Sequence, residues 1–309
     1  MGWTLLRELE SRFQADVWLE AFREAGVECL LRTWEDTAYD GLFVGQRGWG
    51  WLYVDQTELD RARDLDAELE LALNAPGAAS AFSPQTLART IDHTLLEAGA
   101  GQDELARHLD QCLEMGAAAA CVLPWMVPEA ARALAGSEVA VCTVVDFPLG
   151  AGLAGHKLAE TRALLAAGAA ELDVVINRGL VASGREDEAV AEVAALAEAL
   201  PRARPEVLLK VILETPRLGP EASARLAGMF AATPVRFLKT GTGFFGPATI
   251  EDVRLLKRAA APGQGVKAAG GIRTLADALA LLAAGADRLG ASAGYAIWRE
   301  AGGGQPVVS

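Results

Sequence analysis

Three times in this chain a helical pattern closes on Leu-x-x-Gly-Ala and runs on into a short apolar segment: Leu113–Ala117, Leu165–Ala169 and Leu282–Ala286. Glycine at the C-terminal end of a helix, followed by a buried strand, is one half of a β-α repeat. Apolar segments lie near 90–95, 118–123, 138–147, 171–177, 207–214, 236–240, 265–270 and 288–292, with helical patterns between most of them. Eight such segments over roughly 215 residues predict an α/β chain folded as a (β/α)8 TIM barrel, with its site at the C-terminal ends of the strands. A doubly wound open sheet is the alternative. It would carry a glycine-rich turn after its first strand, and Ile91–Leu96 has none.

The repeat does not reach the N-terminal part of the chain. Trp3, Trp18, Trp34, Trp49 and Trp51 crowd the first 51 residues, whereas every lysine comes after residue 156. Between the two regimes lies a stretch of small residues with two prolines, Asn74–Pro84. We expect a small α+β domain at 1–74, a linker at 75–84, the barrel at 85–300 and a flexible tail at 301–309. In the first domain, strands are expected near Trp3–Leu6, Val27–Leu31 and Trp49–Val54, and a helix over Phe13–Ala25. Asp55 and Glu58 have capping-box spacing ahead of a helix bearing Leu59, Leu65, Leu69 and Leu73. Trp49 and Trp51 read as alternate aromatics packed on a small sheet.

Composition narrows the function classes. A net charge of −13 argues against nucleic acid or an anionic membrane as partner, so an anionic ligand needs a local pocket. Apolar residues make up 51%, enough for a sizeable core. Cys29, Cys112, Cys121 and Cys142 form no C-x-x-C pair, and the three histidines complete no zinc spacing, so no metal site is expected. Reduced cysteines, no visible signal peptide and no long apolar run point to a cytoplasmic protein.

The lysines carry the chemistry. The chain has five of them, against twenty-three arginines. Three sit in apolar strand segments: Lys210, Lys239 and Lys267. Arginine could supply plain positive charge; only lysine can lose its proton and attack a carbonyl. Lys239 and Lys267 fall near the ends of neighbouring strands, so their side chains can converge, and mutual repulsion together with burial would lower their pKa values. Asp173, a charge among apolar strand residues, can move protons opposite them; Asp92 in the first barrel strand reads similarly, with Lys210 as a partner for either. Glycines recur at the last three strand ends: Gly241-Thr-Gly243, Gly270-Gly-Ile-Arg273 and Gly290-Ala-Ser292. Backbone N–H groups at such turns cradle phosphate. His93, His108 and His156 read as surface or cap residues, Cys121 as core, and Lys157 and Lys257 as solvated.

Read together, these segments resemble the deoxyribose-phosphate aldolase family. The motifs occur one per strand in the family's order: Ile91-Asp-His-Thr-Leu95, Cys121-Val-Leu-Pro124, Asp146-Phe-Pro-Leu-Gly150, Glu171-Leu-Asp-Val-Val-Ile-Asn177, Leu209-Lys-Val-Ile-Leu-Glu-Thr215, Phe237-Leu-Lys-Thr-Gly-Thr-Gly243, Val266-Lys-Ala-Ala-Gly-Gly-Ile-Arg273 and Arg288-Leu-Gly-Ala-Ser292. The resemblance implies a metal-free class I aldolase without cofactor, cleaving 2-deoxy-D-ribose 5-phosphate to glyceraldehyde 3-phosphate and acetaldehyde. It implies that Lys239 forms the Schiff base, that Lys267 depresses its pKa and that Asp173 relays protons. Asp92 and Lys210 are assigned to the substrate site, and Gly243, Gly270, Gly271, Arg273, Gly290 and Ser292 to the phosphate. Two positions depart from some members: Phe244 stands where a lysine occurs, and Ala293 where a second serine occurs. The chain also ends on Ser309 rather than tyrosine. Residues 1–74 resemble, in pattern alone, a small bacterial domain associated with signal transduction. The apolar barrel exterior makes a homodimer the expected assembly. Two other readings stay open: a phosphosugar-binding regulatory protein on an aldolase barrel, and an imine-forming aldolase for a different aldehyde pair.

Overall fold

The computed structural model describes residues 2–9, 12–33, 50–74, 83–200 and 207–304. Strands β4 (Ile91–Leu95), β5 (Ala119–Val122), β6 (Ala140–Val145), β7 (Glu171–Val175), β8 (Leu208–Ile212), β9 (Phe237–Lys239), β10 (Gly265–Ala269) and β11 (Arg288–Ala291) close into one parallel barrel. β11 pairs back onto β4 through Leu289↔Ile91 and Gly290↔Asp92. All eight predicted segments are strands, and the open sheet is excluded by this closure. Parallel strands need crossovers, and helices supply them. Among these are α4 (Gln102–Met115), α5 (Val127–Ala133), α6 (Ala154–Ala166), α7 (Arg178–Ala182), α8 (Glu186–Glu198), α9 (Thr215–Phe230), α10 (Ile250–Ala259), α11 (Leu275–Ala283) and α12 (Gly294–Glu300). The glycines after α4, α6 and α11 take positive φ (Gly116 66°, Gly168 109°, Gly285 103°), which is why the recurring unit ends on glycine.

The barrel strands are covered on both faces, so they read as apolar runs rather than alternations. In β7 all five residues are buried: Leu172 and Val174 are apolar, while Glu171, Asp173 and Val175 share the opposite face. Burying each such aliphatic side chain contributes about 1.5–3 kcal/mol. The interior positions where charge appears are therefore the costly ones, and they mark the site.

The N-terminal residues form a separate three-stranded antiparallel sheet in the order β1 (Trp3–Leu9), β3 (Gly50–Asp55), β2 (Cys29–Thr33). Helices α1 (Arg12–Glu24) and α2 (Leu59–Asn74) accompany it. Trp18, Phe22, Leu52 and Val54 are buried there, and Asp66 accepts from Arg7 at 2.6 Å and from Trp18 Nε1 at 2.7 Å. Asp55 caps its helix through Thr57 N–H. Glu58 does not close the expected box; it accepts instead from Glu28 N–H at 3.0 Å. In β3, Trp51 alternates with buried Leu52; Trp49 and Trp34 lie outside the described residues. Within the stretch read as linker, Ser83 caps helix α3 (Pro84–Ala88), and Thr86 donates to Glu20 of α1 at 2.9 Å; residues 75–82 lie outside the described residues. Among the described residues no helix is long and apolar enough to cross a membrane.

Candidate active site

Inward positions of β4, β7, β8, β9, β10 and β11 bring seven charged side chains into one buried cluster. Asp173 stands at its centre. Its Oδ2 accepts from Lys239 Nζ at 2.7 Å and from Lys267 Nζ at 2.7 Å, while Oδ1 accepts from Lys210 Nζ at 3.0 Å. Lys210 also reaches Glu171 Oε2 at 2.5 Å and lies 3.6 Å from Asp92 Oδ2. Lys267 Nζ is 2.5 Å from Asp92 Oδ2, a close ion pair that is not aligned as a hydrogen bond. Arg288 closes the ring, with Nε 2.8 Å from Asp92 Oδ1, a second contact from Nη2 to the same oxygen, and Nη2 3.1 Å from Glu171 Oε2. Register explains the convergence: Asp173 is the Cα partner of Lys210, Lys239 of Lys267, and Lys267 of Arg288.

For Lys267 the electrostatics differ from the expectation. Burial by itself lowers the pKa of Lys267, but Asp173 and Asp92 outweigh it and hold the amine above its ordinary value. Lys210 is likewise held above its ordinary value, its burial overcome chiefly by Asp173. Lysine–lysine repulsion loses because each of these two ammonium groups touches more than one carboxylate. Burial would raise the Asp173 carboxyl, yet Lys210, Lys239 and Lys267 hold it well below the usual range. For Asp92 the opposing cations are Arg288, Lys267 and Lys210. Four cations (Lys210, Lys239, Lys267, Arg288) thus face three carboxylates (Asp92, Glu171, Asp173). Losing one proton brings the cluster to balance. Lys239 shares its one carboxylate oxygen with Lys267 and is 3% exposed, against 0% for Lys210 and Lys267, so it is the amine that faces the opening.

The glycine turns meet at the mouth. β9, β10 and β11 are neighbours, and the turns after them carry Gly243, Gly270, Gly271, Arg273 and Ser292. A Cβ on Gly270 would come 2.8 Å from the Gly246 carbonyl and 3.1 Å from Gly243 Cα, so two backbones touch there. Gly243, Gly271, Arg273 and Ser292 are exposed, as a surface that receives an anion requires. Gly290 differs. It lies within β11, and a Cβ there would sit 3.0 Å from Lys267 Cε; its nearest neighbour in the site is the lysine rather than a turn. Phe244 is exposed, with its ring edge-on to Phe147 at 5.6 Å, and Ala293 caps α12.

Several residues escaped the sequence reading. Arg288 and Glu171 belong to the cluster, and each stands two positions before a singled-out residue on the same strand, Gly290 and Asp173. Period-two spacing was the signal that could have found them. Cys142 lies 3.4 Å from both Lys210 Nζ and Asp173 Oδ1. Glu214, buried in a left-handed conformation (φ 65°), accepts the Thr242 N–H at 3.2 Å and so holds the turn after Lys239. Lys157 is not solvated: it is 1% exposed and reaches Glu192 at 2.5 Å, Asp146 at 3.3 Å and the Gly150 carbonyl at 2.9 Å, pinning the loop after β6. Lys257 is half-buried against Asp287 at 2.9 Å. His93 and His108 are buried, not on the surface, and their rings stack at 4.4 Å between β4 and α4; His156 is exposed. Two donor groups could in principle hold a metal ion: Cys121, Cys142 and Asp173, and Asp92, Cys142 and Glu171. Ammonium and guanidinium groups already hold their carboxylates, so the residues fit internal ion pairs better than a metal.

Known proteins share this architecture. A family model described as DeoC/LacD family aldolase matches residues 86–300. A deoxyribose-phosphate aldolase of Bacillus cereus (strain AH187) is 42% identical over 212 residues, 68% of this chain and 94% of its own. One from Carboxydothermus hydrogenoformans is 40% identical over 216 residues, 70% of this chain and 95% of its own. The solved tetrameric deoxyribose phosphate aldolase of Aeropyrum pernix superposes with a TM-score of 0.65 at 30% identity, covering 75% of this chain and 95% of that one. With the barrel, the lysine-bearing strands and these matches in hand, the chain belongs to the DeoC/LacD aldolase family.

Proposed function

We propose that this protein is a class I aldolase that reversibly cleaves 2-deoxy-D-ribose 5-phosphate to D-glyceraldehyde 3-phosphate and acetaldehyde, with Lys239 as the nucleophile. The observation that carries this reading is the sharing of one Asp173 oxygen by Lys239 and Lys267 at 2.7 Å each. The unprotonated Lys239 amine attacks the C1 aldehyde and gives a carbinolamine. Loss of water gives the iminium ion. A base takes the C3 hydroxyl proton, the C2–C3 bond breaks, and its electrons enter the iminium to give an enamine while glyceraldehyde 3-phosphate leaves. Protonation at C2 and addition of water then release acetaldehyde and the amine.

Asp173, in contact with Lys239, Lys267 and Lys210, is suited to pass those protons, while Lys267 and Lys210 stay charged and keep the site positive. Asp92 fixes Lys267 from the other side. Gly243, Gly270, Gly271, Arg273 and Ser292 are assigned to the phosphate, with Gly290 making room for Lys267. Residues 1–74 are read as a distinct domain and the assembly as a cytoplasmic homodimer; light scattering on the full chain tests the latter. Incubation with acetaldehyde and borohydride, followed by peptide mapping, tests the chemistry. A reduced two-carbon adduct on Lys239, absent in Lys239→Arg, supports the mechanism. Sugar-phosphate binding with no adduct in folded protein favours the regulatory binding protein instead.

A further inference from the structure

We infer that a pocket beside the barrel mouth, separate from the lysine cluster, is a binding site for a small phosphomonoester. It is a cavity of about 340 Å3 whose lining includes Arg178, Arg217 and Arg225, with Val181 and Leu218 on its apolar side. That volume is within the usual range for small-molecule sites. Arg178 follows the end of β7, and Arg217 lies in the first turn of α9. The site is therefore built on the loops after β7 and β8, next to the glycine turn that follows β9.

The state of the arginines points to an anion. Arg225 is neutralised by Glu186 at 3.0 Å. Arg178 and Arg217 form no ion pair among the described residues. Arg178 Nε is buried with no hydrogen-bond partner, and its Nη2 has only the Leu149 carbonyl, at 3.5 Å. Both guanidinium groups stack on one ring, Phe245, at 4.5 and 5.1 Å from its centroid. A cation–π contact takes up no N–H donor, so the outward N–H groups of both arginines remain for phosphate oxygens. Glu186 also lines the pocket but is taken up by Arg225, so in a chain of net charge −13 the two remaining cations, without an ion-pair partner among the described residues, are a local exception to the overall field. Phe245 ties the pocket to the turn that bears Gly243, two residues earlier in the chain.

Arginine-directed labelling of the full chain with phenylglyoxal, mapped by mass spectrometry, tests this without any need for turnover. Arg217 is exposed and is the reporter; Arg273 serves as the comparison at the mouth. Inorganic phosphate should slow labelling of Arg217 several-fold relative to chloride at matched ionic strength, and Arg178→Gln should remove most of that protection. Equal labelling of Arg217 in phosphate and chloride overturns the inference, whatever happens at Arg273. Loss of aldolase activity would not bear on it.

Discussion

Lys239 and Lys267 face each other in register across β9 and β10, and their ammonium groups end on the same oxygen of Asp173. The pair is thus joined through a carboxylate rather than through direct repulsion. With Arg288 and Lys210 included, the cations outnumber the carboxylates by one, and that surplus gives a lysine reason to release its proton.

Lys267→Met removes the surplus. Three cations then face three carboxylates, and the cluster no longer gains charge balance by giving up a proton. Turnover should fall by about a hundredfold, the scale of a lost acid–base group, and the activity optimum should move to higher pH. A pH–rate profile measures both, and an unchanged optimum would remove Lys267 from this role.

Gly290→Ala places a methyl group 3.0 Å from where Lys267 Cε now lies. The lysine must shift by a few tenths of an ångström, away from Asp92 and Asp173. Activity should drop by roughly tenfold with little change in melting temperature, because small displacements of positioned groups cost rate before they cost stability.

Arg288→Met tests the cluster's structural side. Asp92 and Glu171 would each lose a buried cation, Asp92 keeping Lys267 and Lys210 and Glu171 keeping Lys210 alone. Breaking such a pair from one side costs about 3 kcal/mol. Denaturant unfolding should show that loss at neutral pH, and it should shrink in acid, where these carboxylates take up protons.

The stacked histidines set an acid limit. Burial, with a smaller contribution from His93, pushes His108 down to about 3. Below about pH 6.5 the unfolded chain binds a proton at this position that the folded chain refuses, so stability falls with pH until the folded value is reached. The loss should be about 2 kcal/mol by pH 5, before the depressed carboxyls of Asp92 and Asp173 begin to matter. His108→Leu should flatten the stability curve in that window; a curve as steep as the parent's would place the sensitivity elsewhere.

Much of this was legible in the sequence. Leu-x-x-Gly-Ala located the helix ends, and all eight strand segments stood out because a parallel barrel buries both faces of each strand. Lys210, Lys239, Lys267, Asp173 and Asp92 were visible as charges where charge is costly. Arg288 and Glu171 sit at strand starts, where charge is common, and only the closure of β11 onto β4 makes them interior. Lys157, His93 and His108 were misread for a related reason. A helix or strand flank shows its polarity in sequence, but whether that polarity finds partners depends on loops and neighbours distant in the chain, such as Glu192 for Lys157. The Arg178–Phe245–Arg217 stack joins three separate βα units, and no local pattern announces it.

The burial of the lysines has one more consequence. Four of the five are within 3% of full burial, and the fifth, Lys257, is held by Asp287. The outside of this protein therefore carries its positive charge almost wholly as guanidinium. Amine-coupling reagents, and attachment to aldehyde-bearing supports, would find few lysine handles on the surface. The most exposed of the five is Lys257, whose amine is already held by Asp287, so such reagents would decorate this protein sparsely and leave Lys239, at the barrel mouth, to small carbonyl compounds that can enter it.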